Sequence, residues 1–154
     1  MKKIMACFLF VVSIPVFSGN ISDIQVIEGK CAGQSHIAEG PVGGDLTKGQ
    51  SRFFCDTAIL AFFDDSGRHV MVSFVEKDGH DDWSVGFAGM MDDDGQIMSV
   101  HHVYLGQDVH TVREGYCRFF FEKHEMKSVA CGAPVDQGTR RTVPVVVFEA
   151  SENP

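Results

Sequence analysis

The chain predicts an all-β fold: a single antiparallel meander domain, closed as a barrel or stacked as a two-layer sandwich, and braced by disulfides. Three observations carry this. Helical periodicity is nearly absent, while short runs rich in Val, Ile, Phe and Tyr recur between Gly and Asp clusters. Asp64-Asp65-Ser66-Gly67-Arg68 and Asp92-Asp93-Asp94-Gly95-Gln96 share one turn frame: acid, acid, small polar or acid, glycine, polar. Finally, Cys31, Cys55, Cys117 and Cys131 include no C-x-x-C pair, which points to two disulfides and away from a thioredoxin-like redox site or a zinc ribbon.

Residues 1–18 read as a secretory leader. Lys2 and Lys3 form a positive start, and Ile4 to Phe17 is apolar apart from Ser13, with Pro15 near the end of the run. Val16 and Ser18 occupy the small-residue positions of a cleavage site, which sets the cut after Ser18 and removes Cys7 with the leader. The apolar run is shorter than the roughly 18 residues of a membrane-crossing helix, so no membrane insertion is expected after cleavage. Residues 19–154 are then one exported domain, periplasmic or secreted, and the Met-Lys-Lys start has a bacterial look.

Charge narrows the partners. The full chain has 13 Lys plus Arg against 21 Asp plus Glu; the leader holds two of the lysines and no acid, leaving 11 against 21, or −10. An acidic surface repels phosphate backbones and anionic headgroups, which disfavours nucleic acid, and it steers a cationic protein towards itself. Solubility alone also accounts for such a charge.

Strands are expected near 21–28, 52–63, 68–76, 83–91, 96–105, 116–122, 126–131 and 141–149. The segment from Ala32 to Gln50 holds five of the 16 glycines together with Pro41, shows no period and reads as a loop. Ala58 to Phe63 has a composition a helix would accept, but its position just before a turn makes it a strand.

The shared turn frame suits a three-residue hairpin loop with glycine in the left-handed conformation. In the first hairpin this pairs Phe62 with Val70, Leu60 with Val72 and Ala58 with Phe74. The reverse face, with Ile59, Ala61, Phe63, Met71 and Val75, is apolar too, so it is either buried between layers or an interface. In the second hairpin the same rule sets Asp92 against Gln96, Met91 against Ile97, Phe87 against His101, Val85 against Val103 and Trp83 against Leu105. Its other face then carries Ser84, Gly86, Ala88, Met90, Met98, Val100, His102 and Tyr104.

A third loop of Lys123, His124 and Glu125 would oppose Glu122 to Met126 and Cys117 to Cys131, which favours this bond among three possible pairings and leaves Cys31 for Cys55; the loop lacks a glycine, however, and a four-residue loop would set the two cysteines diagonally. Each closed loop stabilises the fold by roughly 3 kcal/mol. Pro144 lacks an N–H, so its strand is expected at an edge or to begin there.

Few residues stand out for chemistry. His124-Glu125-Met126-Lys127-Ser128 has serine where a zinc-protease helix needs its second histidine. Asp92-Asp93-Asp94-Gly95 and Asp78-Gly79-His80-Asp81-Asp82 lack the spaced acids of an EF-hand and are explained by turn preference. His101 and His102, with His110 further on, are the best metal candidates, yet neighbouring strand residues point to opposite faces, so both imidazoles share an ion only through a bulge. A second ligand set is His102 with Met90 and Met98, an imidazole–thioether combination suited to copper, against which stands ordinary cross-strand packing.

There is no G-x-S-x-G elbow, since aspartate precedes Trp83-Ser84-Val85-Gly86 in place of glycine. A glycosidase carboxylate pair would leave no local trace. Asn20-Ile21-Ser22 is a glycosylation sequon only in a eukaryotic setting. Trp83 and Tyr104 are candidates for a partner surface, and with Tyr116 they are the amphipathic aromatics available to a ligand.

The expected role is therefore non-enzymatic binding of another protein, as an inhibitor, immunity factor or envelope accessory, with no cofactor. The alternatives are a metal-binding protein or metal-dependent hydrolase centred on His102 or His101, and a sugar- or small-ligand-binding module.

Overall fold

The computed structural model of the protein describes residues 21–76 and 84–152; residues 1–18, expected as a leader, the Asp78-to-Asp82 segment and Trp83 lie outside the described residues. The strands are β1 (Asp23–Cys31), β2 (His36–Pro41), β3 (Gln50–Arg52), β4 (Thr57–Phe62), β5 (His69–Val75), β6 (Val85–Met91), β7 (Ile97–Leu105), β8 (Asp108–Thr111), β9 (Tyr116–Glu122), β10 (Glu125–Gly132), β11 (Val135–Gln137) and β12 (Arg140–Ala150). Among the described residues the helical element is one 3-10 turn, Thr47–Gly49.

Eight strands close a barrel in the order β1-β4-β5-β6-β7-β9-β10-β12, and β12 meets β1 again through Gly29 with Ala150, Lys30 with Glu149 and Cys31 with Phe148. Closure leaves the barrel strands without free edges, which a two-layer sandwich would have retained. The four short strands hang on this frame: β2 and β3 extend from β12, β11 lies on the other side of β12, and β8 flanks β7.

Alternation of side chains sorts each barrel strand into an inner and an outer set. The inner set is apolar and closely packed, with Leu60, Val72, Phe74, Val85, Phe87, Met98, Val103, Phe119, Val129, Val146 and Phe148 fully buried. Phe74 sits at the centre, 6.3 Å from the Phe87 ring and 5.9 Å from that of Phe148. Each such side chain contributes roughly 1.5–3 kcal/mol by leaving water. Both disulfides, Cys31–Cys55 and Cys117–Cys131, border this core.

The first hairpin pairs as its turn predicts, with Phe62, Leu60 and Ala58 opposite Val70, Val72 and Phe74, and Gly67 at φ +69°. The second differs. Met91 pairs with Met98 instead of Ile97, because the loop takes one more residue: Asp92 N–H donates to the Ile97 carbonyl at 2.7 Å. A β-bulge follows, in which Ala88 pairs with His102 and Gly89 with Val100, leaving His101 without an opposite residue on β6. The pairs expected further along are corrected by two residues: Phe87 faces Val103 and Val85 faces Leu105.

The third hairpin turns through two residues, Lys123 and His124, both at positive φ, with Glu122 opposite Glu125. A bulge between Met126 and Ser128 absorbs the difference, so Cys117 still stands opposite Cys131.

The glycine-rich segment expected as a loop contains β2, which pairs along the N-terminal half of β12 from Arg140 with Pro41 to Val145 with His36. Its strand character comes from this distant partner and not from its own sequence. The run expected at 52–63 is broken between β3 and β4, where Phe53 turns into the core and Cys55 reaches Cys31. β8 and β11 are short additions of the same kind. Pro144 lies inside β12, neither at its start nor on a free edge; Thr142 pairs with β11 and Val145 with β10, so the proline occupies the step between the two neighbours.

Candidate functional site

The outer surface of β1, β4, β5, β6, β7 and β8 carries two continuous cross-strand rows. One runs Ile24, Ala61, Met71, Ala88, His102, Thr111; the other runs Val26, Ile59, Ser73, Gly86, Tyr104, Val109. Asp, Glu, Lys and Arg make up 22% of the chain, so about two of the ten positions here that are not buried should be charged, yet none is; Ala61 and Gly86 are buried. Ile24, Val26 and Val109 are 52%, 67% and 54% exposed.

Small residues occupy the middle of this wall. A Cβ built on Gly86 would lie 3.2 Å from Tyr104 Cβ and 3.4 Å from Met71 Cε, so these two larger side chains close over the glycine from either side. Ser73 lies opposite the glycine and Ala88 two residues along β6, while Ile24 and Val26 on β1 and Val109 on β8 stand at the margins. The reverse face of the first hairpin is thus turned outward as part of one contiguous surface, and is not packed between two layers.

Acids bound the wall at both ends of its strands: Asp23 and Asp64 at one, Glu28, Glu76 and Asp108 at the other. The first end is also the pole where the 62–69, 91–97 and 122–125 turns meet around a cavity of about 530 Å³ with Phe62, Met91 and Phe121 in its lining. Arg68 links two of the turns through Asp93 at 3.3 Å. Asp64 holds its own turn, accepting from His69 Nδ1, from Ser66 Oγ at 2.8 Å and from the Arg68 N–H at 3.1 Å. The His69 bond above all, then that from Ser66, lowers the Asp64 carboxyl from its ordinary 3.8 to about 2. Asp92 is lowered in the same manner by the N–H groups of Ile97 and Gln96.

The predicted site residues are distributed unevenly. Tyr104 lies in the wall, Trp83 lies outside the described residues, and Tyr116 is exposed on β9. The set His102, Met90 and Met98 is divided: Met98 is fully buried in the core, while His102 and Met90 face outward. The physical reason is the extra loop residue, which puts Met98 on the inner face, and the His101 bulge, which restores His102 to the outer one. His110 is half-buried on β8 opposite Val103. The four cysteines are committed to disulfides.

Among the described residues no three His, Cys, Asp or Glu side chains converge as a metal site. No protein-family model matches the chain, and no curated protein or solved structure shows significant similarity to it.

The wall itself was only half legible beforehand. Apolar residues on both faces of β4 and β5 signalled it, but its continuation across β6 and β7 depends on the bulge, which shifts β7 against β6.

Proposed function

We propose that the protein is an exported, non-enzymatic β-barrel that binds a cationic protein through this wall, in the manner of an inhibitor, immunity factor or envelope accessory. The observation that supports this best is the pair of uncharged rows crossing six strands on a surface otherwise rich in charge. A contiguous, uncharged and largely apolar surface of this kind fits an interaction site. The leader supports export, and two disulfides fit an oxidising compartment.

Shape and charge define the partner. A band that follows five of the eight strands of a closed barrel is convex, so the surface it fits is concave: a cleft with apolar walls. Acids at both margins of the band favour a cleft rimmed by Lys and Arg, and the exported domain's net charge of −10, 11 Lys plus Arg against 21 Asp plus Glu, accelerates the encounter. A convex wedge entering the cleft of a cationic enzyme is the geometry of an inhibitor.

The test is retention of cationic secreted enzymes, lysozymes among them, on the immobilised oxidised protein, with an acidic enzyme as control. Ala88→Arg places a charge in the middle of the wall on an outward, half-buried position. We expect at least one cationic enzyme to bind with micromolar or tighter affinity, and Ala88→Arg to weaken it by about tenfold or more, equivalent to about 1.4 kcal/mol, with the fold unchanged. Binding that is indifferent to Ala88→Arg, or no binding across the panel, overturns the proposal; so does self-association of the protein that Ala88→Arg abolishes, since a second copy is then the occupant.

A further inference from the structure

We propose that His101 and His102, turned to the same side of β7 by the β-bulge, form with the Met90 thioether a surface site for a copper(I) ion. On a regular strand these neighbouring imidazoles would point to opposite faces. Here the bulge removes that alternation. Val100 and Val103 on either side of the pair are buried, whereas His101 and His102 are both exposed. The extra residue is His101, since Gly89 pairs with Val100 and Ala88 with His102.

The bulge is built into the sequence at Gly89. A Cβ there would run into the Ser99 carbonyl and close on Val100 Cα, so only glycine lets β7 approach β6 at this level. From the other side, the Val112 N–H donates to the His101 carbonyl at 2.9 Å and holds the bulged peptide in place. The two histidines are therefore carried on a fixed backbone.

Their surroundings select the metal. Met90, half-buried and outward, stands on β6 opposite Ser99, two residues before His101, while Ala88 opposite His102 is small and leaves space above it. The thioether is a soft ligand that favours copper(I), and imidazole suits copper as well as zinc. Structural zinc takes four ligands in a tetrahedron, and no third His, Cys, Asp or Glu converges with the pair among the described residues. Copper(I) accepts two- and three-coordinate arrangements. His69, opposite Met90, is turned to Asp64 through Nδ1.

His102 also belongs to the wall, opposite Ala88, but the copper site is tested by itself, without a partner. The oxidised protein is titrated with copper(I) under anaerobic conditions against a chromogenic copper(I) chelator. The expected result is one ion retained per chain. Loss of a ligand should weaken retention at least as much as loss of a group that merely orients one, so His101→Ala and His102→Ala should each reduce affinity by about tenfold or more.

Met90→Leu should weaken binding as well, and the core variant Met98→Leu should leave it unchanged. Gly89→Ala keeps every ligand but disturbs the bulge, so weaker retention by a variant that still folds identifies the geometry as the cause. No retained copper(I) overturns the proposal. Retention that survives the double substitution of both histidines does so too, as does zinc bound as tightly as copper(I).

Discussion

Cys117 and Cys131 face each other across β9 and β10 with their Cα atoms 4.0 Å apart, between the pairs Phe119 with Val129 and Tyr116 with Gly132. The bond joins strands that are already neighbours in the barrel. Its effect therefore falls mainly on the unfolded chain, where it closes a loop between residues 14 apart, while Cys31–Cys55 closes one between residues 24 apart.

Chain entropy assigns about 3 kcal/mol to the shorter loop and about 3.5 kcal/mol to the longer. Replacing Cys117 and Cys131 together by Ala should lower unfolding free energy by about 3 kcal/mol, and replacing Cys31 and Cys55 by slightly more, as read from urea denaturation of each double variant. Equal stability of a double variant and the parent would show that the unfolded chain is constrained by something else.

Acid should loosen the Asp64 turn. The folded carboxyl titrates at about 2 and its ordinary value is 3.8, so its contribution to stability is present above about pH 4 and disappears as pH falls towards 2. Asp64→Asn should be less stable than the parent at pH 6, with the difference shrinking as pH falls through about 2. Carboxyl NMR titration offers a direct check: the Asp64 midpoint should rise towards 3.8 in His69→Ala, because the His69 bond is the largest cause of its depression.

Core and surface phenylalanines should separate cleanly. Phe74 is fully buried between Phe87 and Phe148, so Phe74→Ala should cost about 3–5 kcal/mol. Phe54 is 58% exposed with the Arg52 guanidinium 5.0 Å from its ring, and Phe54→Ala should cost less than about 1 kcal/mol. Thermal unfolding followed by circular dichroism distinguishes these outcomes.

Gly89→Ala should destabilise the protein by at least about 1–3 kcal/mol, the range for overpacking, because β7 must retreat from β6 to admit the new methyl group. Gly95→Ala tests a different constraint. Nothing lies near its Cβ position, but its φ of +69° disfavours any side chain, so a cost of about 1–2 kcal/mol should come from backbone strain alone.

Short-range features were the ones readable along the chain. Gly67 in a turn of acids and serine defined the pairing of β4 with β5, and the Cys117–Cys131 pairing followed from hairpin geometry even though the loop has two residues and not three. That second result holds because the bulge at Met126 to Ser128 supplies the missing residue, something no local signal announced. The Asp92 turn shares its frame with the Asp64 turn, yet it takes one residue more, and the register of the second hairpin moved with it.

By itself, then, the sequence determined the all-β class and the positions of the main strands and favoured one of three cysteine pairings, since period-two patterning and turn residues act over a few positions. Tertiary structure decided the rest. Barrel closure rests on β1 meeting β12 across most of the chain, and β2 is a strand only because β12 lies beside it. The inward place of Met98, the outward pair of His101 and His102 and the continuity of the apolar wall all follow from how closely β6 and β7 approach at Gly89, a distance that depends on both strands at once.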